Sequence, residues 1–231
     1  MSAPLVLITG SGGALGTTVS QTFQEAGWRL VLAEYSEDGA EALRAQFPDA
    51  LVEVADLTDA EQAQRVVARA EDQRGPLDAA LAIAGGFSMQ AAHEATPKDY
   101  GRMMDLNVRT LFNTVRAVLP GMRTRRHGFI LGVSAAAADQ GGAQMALYAA
   151  SKAAAAAYLR AVRNEVSDHG VGVATLYPMG ALDTPANRAS MPDADPNQWI
   201  SREDLATTML HMATQGPRGH VGEARVFATP R

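Results

Sequence analysis

A five-residue apolar run, Leu5–Thr9, leads directly into Thr9-Gly10-Ser11-Gly12-Gly13-Ala14-Leu15-Gly16, and a helical pattern follows through Gln24. No other feature of the chain narrows its fold as much. A short continuous apolar run is the signature of a parallel strand buried on both faces. Alone, a glycine run marks a tight turn. Between a buried strand and a helix it predicts a dinucleotide cradle. The backbone can come close to a pyrophosphate there, and a helix N-terminus favours negative charge.

The rest of the chain repeats the strand-then-helix rhythm. A second strand, residues 29–33, ends in Glu34. A carboxylate at that place can accept from both ribose hydroxyls and repels a 2′-phosphate. Tyr35, Ser36, Glu37 and Asp38 bring no cation to rescue one, so NAD(H) is expected over NADP(H). The alternative is a solvated acid at a strand end. Leu51–Val54 reads as a third strand, ending near Asp56-Leu57. Asp56 either touches an adenine or shapes the turn. Thr58 reads as the N-cap of the next helix, with Glu61 completing a capping box and Gly75-Pro76 ending the helix. Residues 77–83 form a fourth strand. Ala84-Gly85-Gly86 follows, small enough for a cofactor to lie against backbone. Thr96-Pro97 opens a helix to about Leu119, and Asn107 lies within it. Asparagine is poor inside a helix and is usually hydrogen-bonded there.

Gly128–Val133 is a fifth strand, with Ser134 next and a loop of small residues over 135–142. Residues 171–177 make a sixth, before Pro178-Met179-Gly180. Residues 183–200 are rich in Pro, Asp and Asn and read as an irregular substrate loop or lid. A helix over 201–213, capped by Ser201, and a last strand within 221–228 complete the chain. The 231 residues show no repeat and no linker. The expected fold is α/β: one Rossmann-type domain over 1–231, a doubly wound parallel sheet with helices on both faces.

Chemistry enters at Tyr148-Ala-Ala-Ser-Lys152. A tyrosine and a lysine four apart share one helix face. An ammonium beside a phenol favours the phenolate, so Tyr148 is expected to be a better proton donor near neutral pH than free tyrosine. That suits a general acid. The same spacing also occurs on ordinary solvated helices.

Composition narrows the function further. A hydrophobic fraction of 47% supports a sizeable core. A net charge of −5 speaks against a nucleic-acid surface. The one basic cluster, Arg123, Arg125, Arg126 and His127, follows a helix and reads as C-terminal charge complementation. No cysteine is present, which excludes disulfides and thiol catalysis. No apolar run reaches membrane-spanning length, and the N-terminus has no basic segment before its short apolar stretch; a cytoplasmic protein is expected. His93, His127, His169, His211 and His220 show no metal-ligand spacing, so no metal is expected.

Taken together, the Thr9–Gly16 turn, Asp56, Ala84-Gly85, Asn107, Tyr148-x-x-x-Lys152 and Pro178 through Thr184 resemble the short-chain dehydrogenase/reductase family over nearly the whole chain. The resemblance implies an NAD(P)H-dependent oxidoreductase. Gly10, Gly12 and Gly16 would hold the pyrophosphate turn, with Ser11, Gly13, Ala14 and Leu15 completing it. Glu34 and Tyr35 would lie at the adenosine ribose, and Asp56 with Leu57 at the adenine. Ala84, Gly85, Gly86, Val133 and Pro178 would border the cofactor, with Thr184 near its carboxamide or phosphates. Tyr148 would donate the proton. Lys152 would lower the Tyr148 pKa and hold the nicotinamide ribose. Asn107 would position a water relay behind Lys152. Such proteins usually pair through the helices carrying Asn107 and Tyr148. The small face of residues 153–157 suits close packing, so a homodimer or homotetramer is expected.

The departures matter too. The family's serine usually lies thirteen residues before the tyrosine; here that place is Ala135, and Ser134 is fourteen before. Ala14 replaces a usual glycine, and Ala82-Ile83-Ala84-Gly85-Gly86 replaces Asn-Asn-Ala-Gly. Quinonoid dihydropteridine reductases are similar in these respects. They also carry a segment similar to residues 182–192 and a tryptophan like Trp199. Three readings follow: reduction of a quinonoid dihydropteridine with Tyr148 alone as donor, a ketone or alcohol oxidoreductase using Ser134 as second donor, and a non-catalytic NAD-binding sensor. A pure binder has no need of a proton donor, which speaks against the third.

Overall fold

The computed structural model describes residues 3–216 and 218–229; Met1, Ser2, Pro217, Pro230 and Arg231 of the expected 1–231 domain lie outside the described residues. Seven strands form one parallel sheet: β1 (Leu5–Thr9), β2 (Arg29–Glu34), β3 (Leu51–Val54), β4 (Ala79–Ala82), β5 (Gly128–Val133), β6 (Val171–Pro178) and β7 (Glu223–Val226). Their order is β3-β2-β1-β4-β5-β6-β7. The chain therefore reverses its direction of winding between β1 and β4, where Thr9 lies opposite Ala82. A crevice opens at such a switch point, outside the carboxyl ends of the strands.

Alternation along each strand sorts the core into two layers. Leu5, Leu7, Val31, Ala80 and Ile130 face α3 (Ala60–Arg74), α5 (Thr110–Arg125) and α7 (Ala146–Val166). Val6, Ile8, Leu32, Leu81 and Leu131 face α1 (Ala14–Glu25), α2 (Glu37–Gln46) and α9 (Arg202–Ala213). Each large apolar side chain so buried contributes roughly 1.5–3 kcal/mol. Among the described residues no helix is long and apolar enough to cross a membrane.

Several boundaries differ from the sequence reading. The third helix is capped by Asp59, whose carboxylate accepts from the N–H groups of Glu61 and Gln62. Thr58 stands one residue before that cap, and its own N–H and hydroxyl both donate to Asp56 Oδ1. The helix opened by Thr96-Pro97 is three pieces: α4 (Pro97–Met104), a π-helical turn over Asp105–Arg109, and α5, which runs on past Pro120. A one-turn helix, α6 (Ala137–Gln140), sits inside the small-residue loop. The 183–200 segment holds α8 (Pro185–Ser190) and a 3-10 turn over Pro196–Gln198, and a Leu182–Ile200 bridge closes its base. The basic cluster is spoken for within the fold. Arg125 pairs with Glu71, His127 with Asp78, and Arg126 takes the left-handed conformation that ends α5.

Candidate active site

The glycine turn is shaped by what a side chain would hit. Gly10 has a φ of +64°, and a Cβ there would lie 2.8 Å from Ala84 Cα. A Cβ on Gly16 would overlap the Gly10 carbonyl. Both glycines keep the first turn of α1 pressed against the ends of β1 and β4. Gly13 is the N-cap of α1 and supplies no capping side chain, and the first turn carries no acid. The N–H groups at this helix end are thus left for an external anion. Leu15 packs on the α1-side core, and Ser11 is buried with its hydroxyl on the Ala33 carbonyl, 3.1 Å away. Ser11 stitches β1 to β2 and does not face the crevice.

Beside the turn lies a cavity of about 310 Å³ bounded by Gly10, Glu34, Tyr35, Asp56, Leu57 and Ala84. Glu34 Oε2 accepts the Gly12 N–H at 2.9 Å, and Oε1 accepts the Ser36 N–H at 3.3 Å. A side chain on Gly12 would put its Cβ 2.6 Å from Glu34 Oε2. Tyr35 is mostly exposed at the rim. Asn113, buried in α5, donates to the carbonyls of Leu57 and Thr58 and fixes the far wall. Sequence reading passed over Asn113; a second mid-helix asparagine six residues after Asn107 was its signal.

The chemical end is built on α7. Lys152 is buried, and its Nζ donates to the Val133 carbonyl at 3.0 Å. Burial pushes its pKa down to about 8. Burial pushes the Tyr148 phenol up. This corrects the expected electrostatics: desolvation governs the phenol, and the ammonium rests on backbone. Asn107 sits in the π-turn, a form common at functional sites. Its Oδ1 accepts the Gly86 N–H at 3.0 Å, and its Nδ2 donates to the Gly86 carbonyl at 2.9 Å and to Ser151 Oγ at 3.0 Å. Ser151 in turn donates to the Tyr148 carbonyl at 2.8 Å. The segment after β4, the π-turn and α7 are thereby tied together. A Cβ on Gly85 would lie 2.6 Å from Asn107 Oδ1 and 3.2 Å from Lys152 Nζ, so only glycine fits above them.

Ser134 departs from its expected role. It is 2% exposed, and its hydroxyl donates to the Lys152 carbonyl at 3.0 Å. It fastens α7 to the end of β5 and presents no donor to the crevice. Thr184 caps α8 through the Asn187 N–H, and the Pro178 carbonyl accepts from Ala136, so both hold the loops near the crevice. Phe87, which sequence reading missed, stands edge-to-face on Tyr148 with ring centroids 4.9 Å apart.

A glycine cradle at the switch point, an acid on its second strand, and a buried lysine one turn from a tyrosine define a dinucleotide-dependent oxidoreductase site. The chain belongs to the short-chain dehydrogenase family, whose model matches residues 4–195. It is 26% identical over 230 residues to a 3-oxoacyl-(acyl-carrier-protein) reductase of Vibrio cholerae, covering 99% of this chain and 88% of the other. Two solved structures share the fold. A 3-ketoacyl-(acyl-carrier-protein) reductase from Brucella melitensis complexed with NADH matches with TM-score 0.86 at 23% identity, over 96% of both chains. An alcohol dehydrogenase from Thermococcus sibiricus complexed with 5-hydroxy-NADP matches with TM-score 0.86 at 19% identity, over 99% of this chain and 98% of the other.

Proposed function

We propose that this oxidoreductase is an NADH-preferring reductase of quinonoid dihydropteridines or a similarly flat, electron-poor imine, with Tyr148 as the sole side-chain acid. The observation that carries the reading is Ser134: its hydroxyl is spent on the Lys152 carbonyl, and Ala135 stands in the place where a second donor would be useful. A ketone gains from two donors on its oxygen as charge develops. A quinonoid ring is already poised for reduction, and one proton suffices. Bound nicotinamide would supply the hydride. Lys152 holds positive charge beneath the crevice, Asn107 and Ser151 fix its helix, and Tyr148 delivers the proton beside Phe87. Glu34, with no cation in the four residues after it, supports NADH over NADPH.

The likeness to the Vibrio cholerae 3-oxoacyl-(acyl-carrier-protein) reductase favours a carbonyl substrate instead; that second reading would need Ser134 to turn from the Lys152 carbonyl and serve as second donor. One experiment separates the readings. The purified chain is given NADH with freshly generated quinonoid dihydropterin or with a 3-oxoacyl thioester, and NADH absorbance is followed. Consumption with the first and not the second is expected; the reverse overturns the proposal.

We further propose that two copies pair through α5 and α7. A groove of about 640 Å³ runs between these helices, lined by Phe112, Leu119, Tyr158 and Val162 among others. The small residues first expected to make that contact are partly used up: Ala155 and Ala156 are buried in the chain's own core. Phe112 and Tyr158, edge-to-face at 5.9 Å, form the outward apolar feature. Sedimentation of wild type and Phe112→Glu tests this; a dimer that persists in the variant counts against it.

A further inference from the structure

Glu34 ends β2, and its side chain runs between two glycines that belong to different elements. On one side is Gly12 in the glycine turn, whose N–H donates to Oε2 at 2.9 Å. On the other is Gly39, in the first turn of α2. A Cβ on Gly39 would lie 2.9 Å from Glu34 Cγ, 3.1 Å from Glu34 Cδ and 2.9 Å from Ser36 Oγ. Ser36 grips the carboxylate too, its N–H donating to Oε1 at 3.3 Å, while its hydroxyl accepts the Gly39 N–H at 3.2 Å and caps α2. Each carboxylate oxygen therefore holds one backbone N–H, and the stem behind it has a glycine on either side.

Nothing in the helix asks for glycine at position 39. Its φ lies outside the left-handed region, in a conformation that any residue adopts. Glycine is also among the poorest helix formers, because it gives up the most backbone freedom on folding. What the missing Cβ does provide is the space that the Glu34 stem fills. A larger residue would press on a side chain, not on main chain, so the fold accepts it and Glu34 gives way. The seat has a consequence for charge. A carboxylate has about four acceptor sites, and two N–H groups leave the others for a ligand in the cavity it borders. Held there, it meets every ligand at one fixed position; released toward solvent, its field is screened.

We propose that Gly39 is a specificity-determining residue. The room it leaves seats Glu34, and through that carboxylate it sets the choice between a dinucleotide with a free 2′-hydroxyl and one with a 2′-phosphate. It acts through Glu34, as a positioning residue. This role rests on the reading that the chain prefers NADH.

Binding and stability together test it. The intact chain, Gly39→Ala, Glu34→Ala and the double variant are titrated with NADH and NADPH by calorimetry, and each is unfolded in denaturant. Gly39→Ala should lower the ratio of NADH to NADPH affinity by about fivefold or more, approaching the loss in Glu34→Ala. It should nevertheless unfold at the same or a higher denaturant concentration than wild type, since alanine is the better helix former. Added to Glu34→Ala, it should change the ratio by less than about 1.5-fold, because the two positions act as one unit. An equal further drop in the double variant would mean that Gly39 works apart from the carboxylate, and the assignment falls. An early melt with the ratio kept would make Gly39 a packing residue only and also sinks it. A ratio that falls in Glu34→Ala and holds in Gly39→Ala overturns the role of Gly39 and leaves the NADH reading standing. A wild-type chain that prefers NADPH, or binds neither dinucleotide, overturns both.

Discussion

The hydroxyl of Ser134 donates to the main-chain carbonyl of Lys152, 3.0 Å away, inside a joint that solvent barely reaches. The serine thus acts on the helix that carries the lysine and offers nothing to a substrate. Ser134→Ala should keep kcat for a quinonoid substrate within about threefold while removing about 1 kcal/mol of stability, the usual worth of one buried hydrogen bond. Steady-state kinetics and a denaturant melt read the two separately. A loss of a hundredfold or more in kcat with the melt unchanged would restore the serine as a second donor.

Lys152 makes the site sensitive to pH. Its folded-state pKa of about 8 lies below the ordinary lysine value of 10.5, so folding opposes its charge. Below about pH 8 both states hold the proton and the penalty is fully present. Between about 8 and 10.5 the unfolded chain holds more proton than the folded one, and stability rises with pH. Lys152→Met lacks this term. Its advantage over wild type should shrink by up to about 3 kcal/mol as pH climbs through that window. Turnover by wild type should fall over the same range as the ammonium is lost. A stability gap that stays flat from pH 7 to 10 refutes the burial argument.

Tyr148→Phe removes the proposed proton and little else, because the ring still meets Phe87. Turnover should drop by about 10²–10⁴. NADH affinity should hold, since the glycine turn and Glu34 are untouched. Intact turnover in this variant would remove Tyr148 as the acid and require the proton to come from another group.

How much of this was readable in advance follows from what each signal depends on. Leu5–Thr9 with its glycine turn was plain because a strand buried on both faces and a sterically forced turn are local facts. The α2 helix escaped notice because only Ala40 and Leu43 of its ten residues are buried, too narrow a stripe to stand out. Thr58 and Asp59 are both good caps, and only where the first helical turn begins, at Ala60, decides that the Asp59 carboxylate takes the Glu61 and Gln62 N–H groups. Which way Ser134 points depends on register at the end of β5, where a one-residue step changes the face. The four-residue spacing puts Lys152 and Tyr148 on one helix face, but the depth of the lysine's burial and its hold on the Val133 carbonyl depend on β5 and the segment after β4 closing over it. Arg202 meets Ala14 across 188 positions, and no local pattern carries such a contact.

Glu34 makes cofactor choice open to direct test. Its carboxylate is held by the Gly12 and Ser36 N–H groups in the wall of the cavity beside the glycine turn. Glu34→Ala removes the repulsion toward a 2′-phosphate and the acceptor for the ribose hydroxyls together. The ratio of kcat/KM for NADH to that for NADPH should fall by about tenfold or more, roughly the 1.4 kcal/mol that one such charged contact carries. An unchanged ratio would mean that the acid is merely solvated at its strand end.

Phe87 should decide how a substrate lies. One edge of the Phe87–Tyr148 pair is fixed at 83° between ring planes, and Phe87 remains 54% exposed. Met89 and Met191 are also exposed apolar side chains, one in the segment after β4 and the other at the end of α8. An aromatic left half in solvent next to the proposed acid gains by covering itself with a flat ring, and such stacking is worth about 0.5–1.5 kcal/mol beyond area burial. Phe87→Ala should raise KM for a planar heteroaromatic substrate by about three- to tenfold, with kcat and NADH affinity nearly unchanged. Phe87→Trp should restore KM. A variant that instead loses kcat at constant KM would show that the ring orients the Tyr148 phenol and does not receive the substrate.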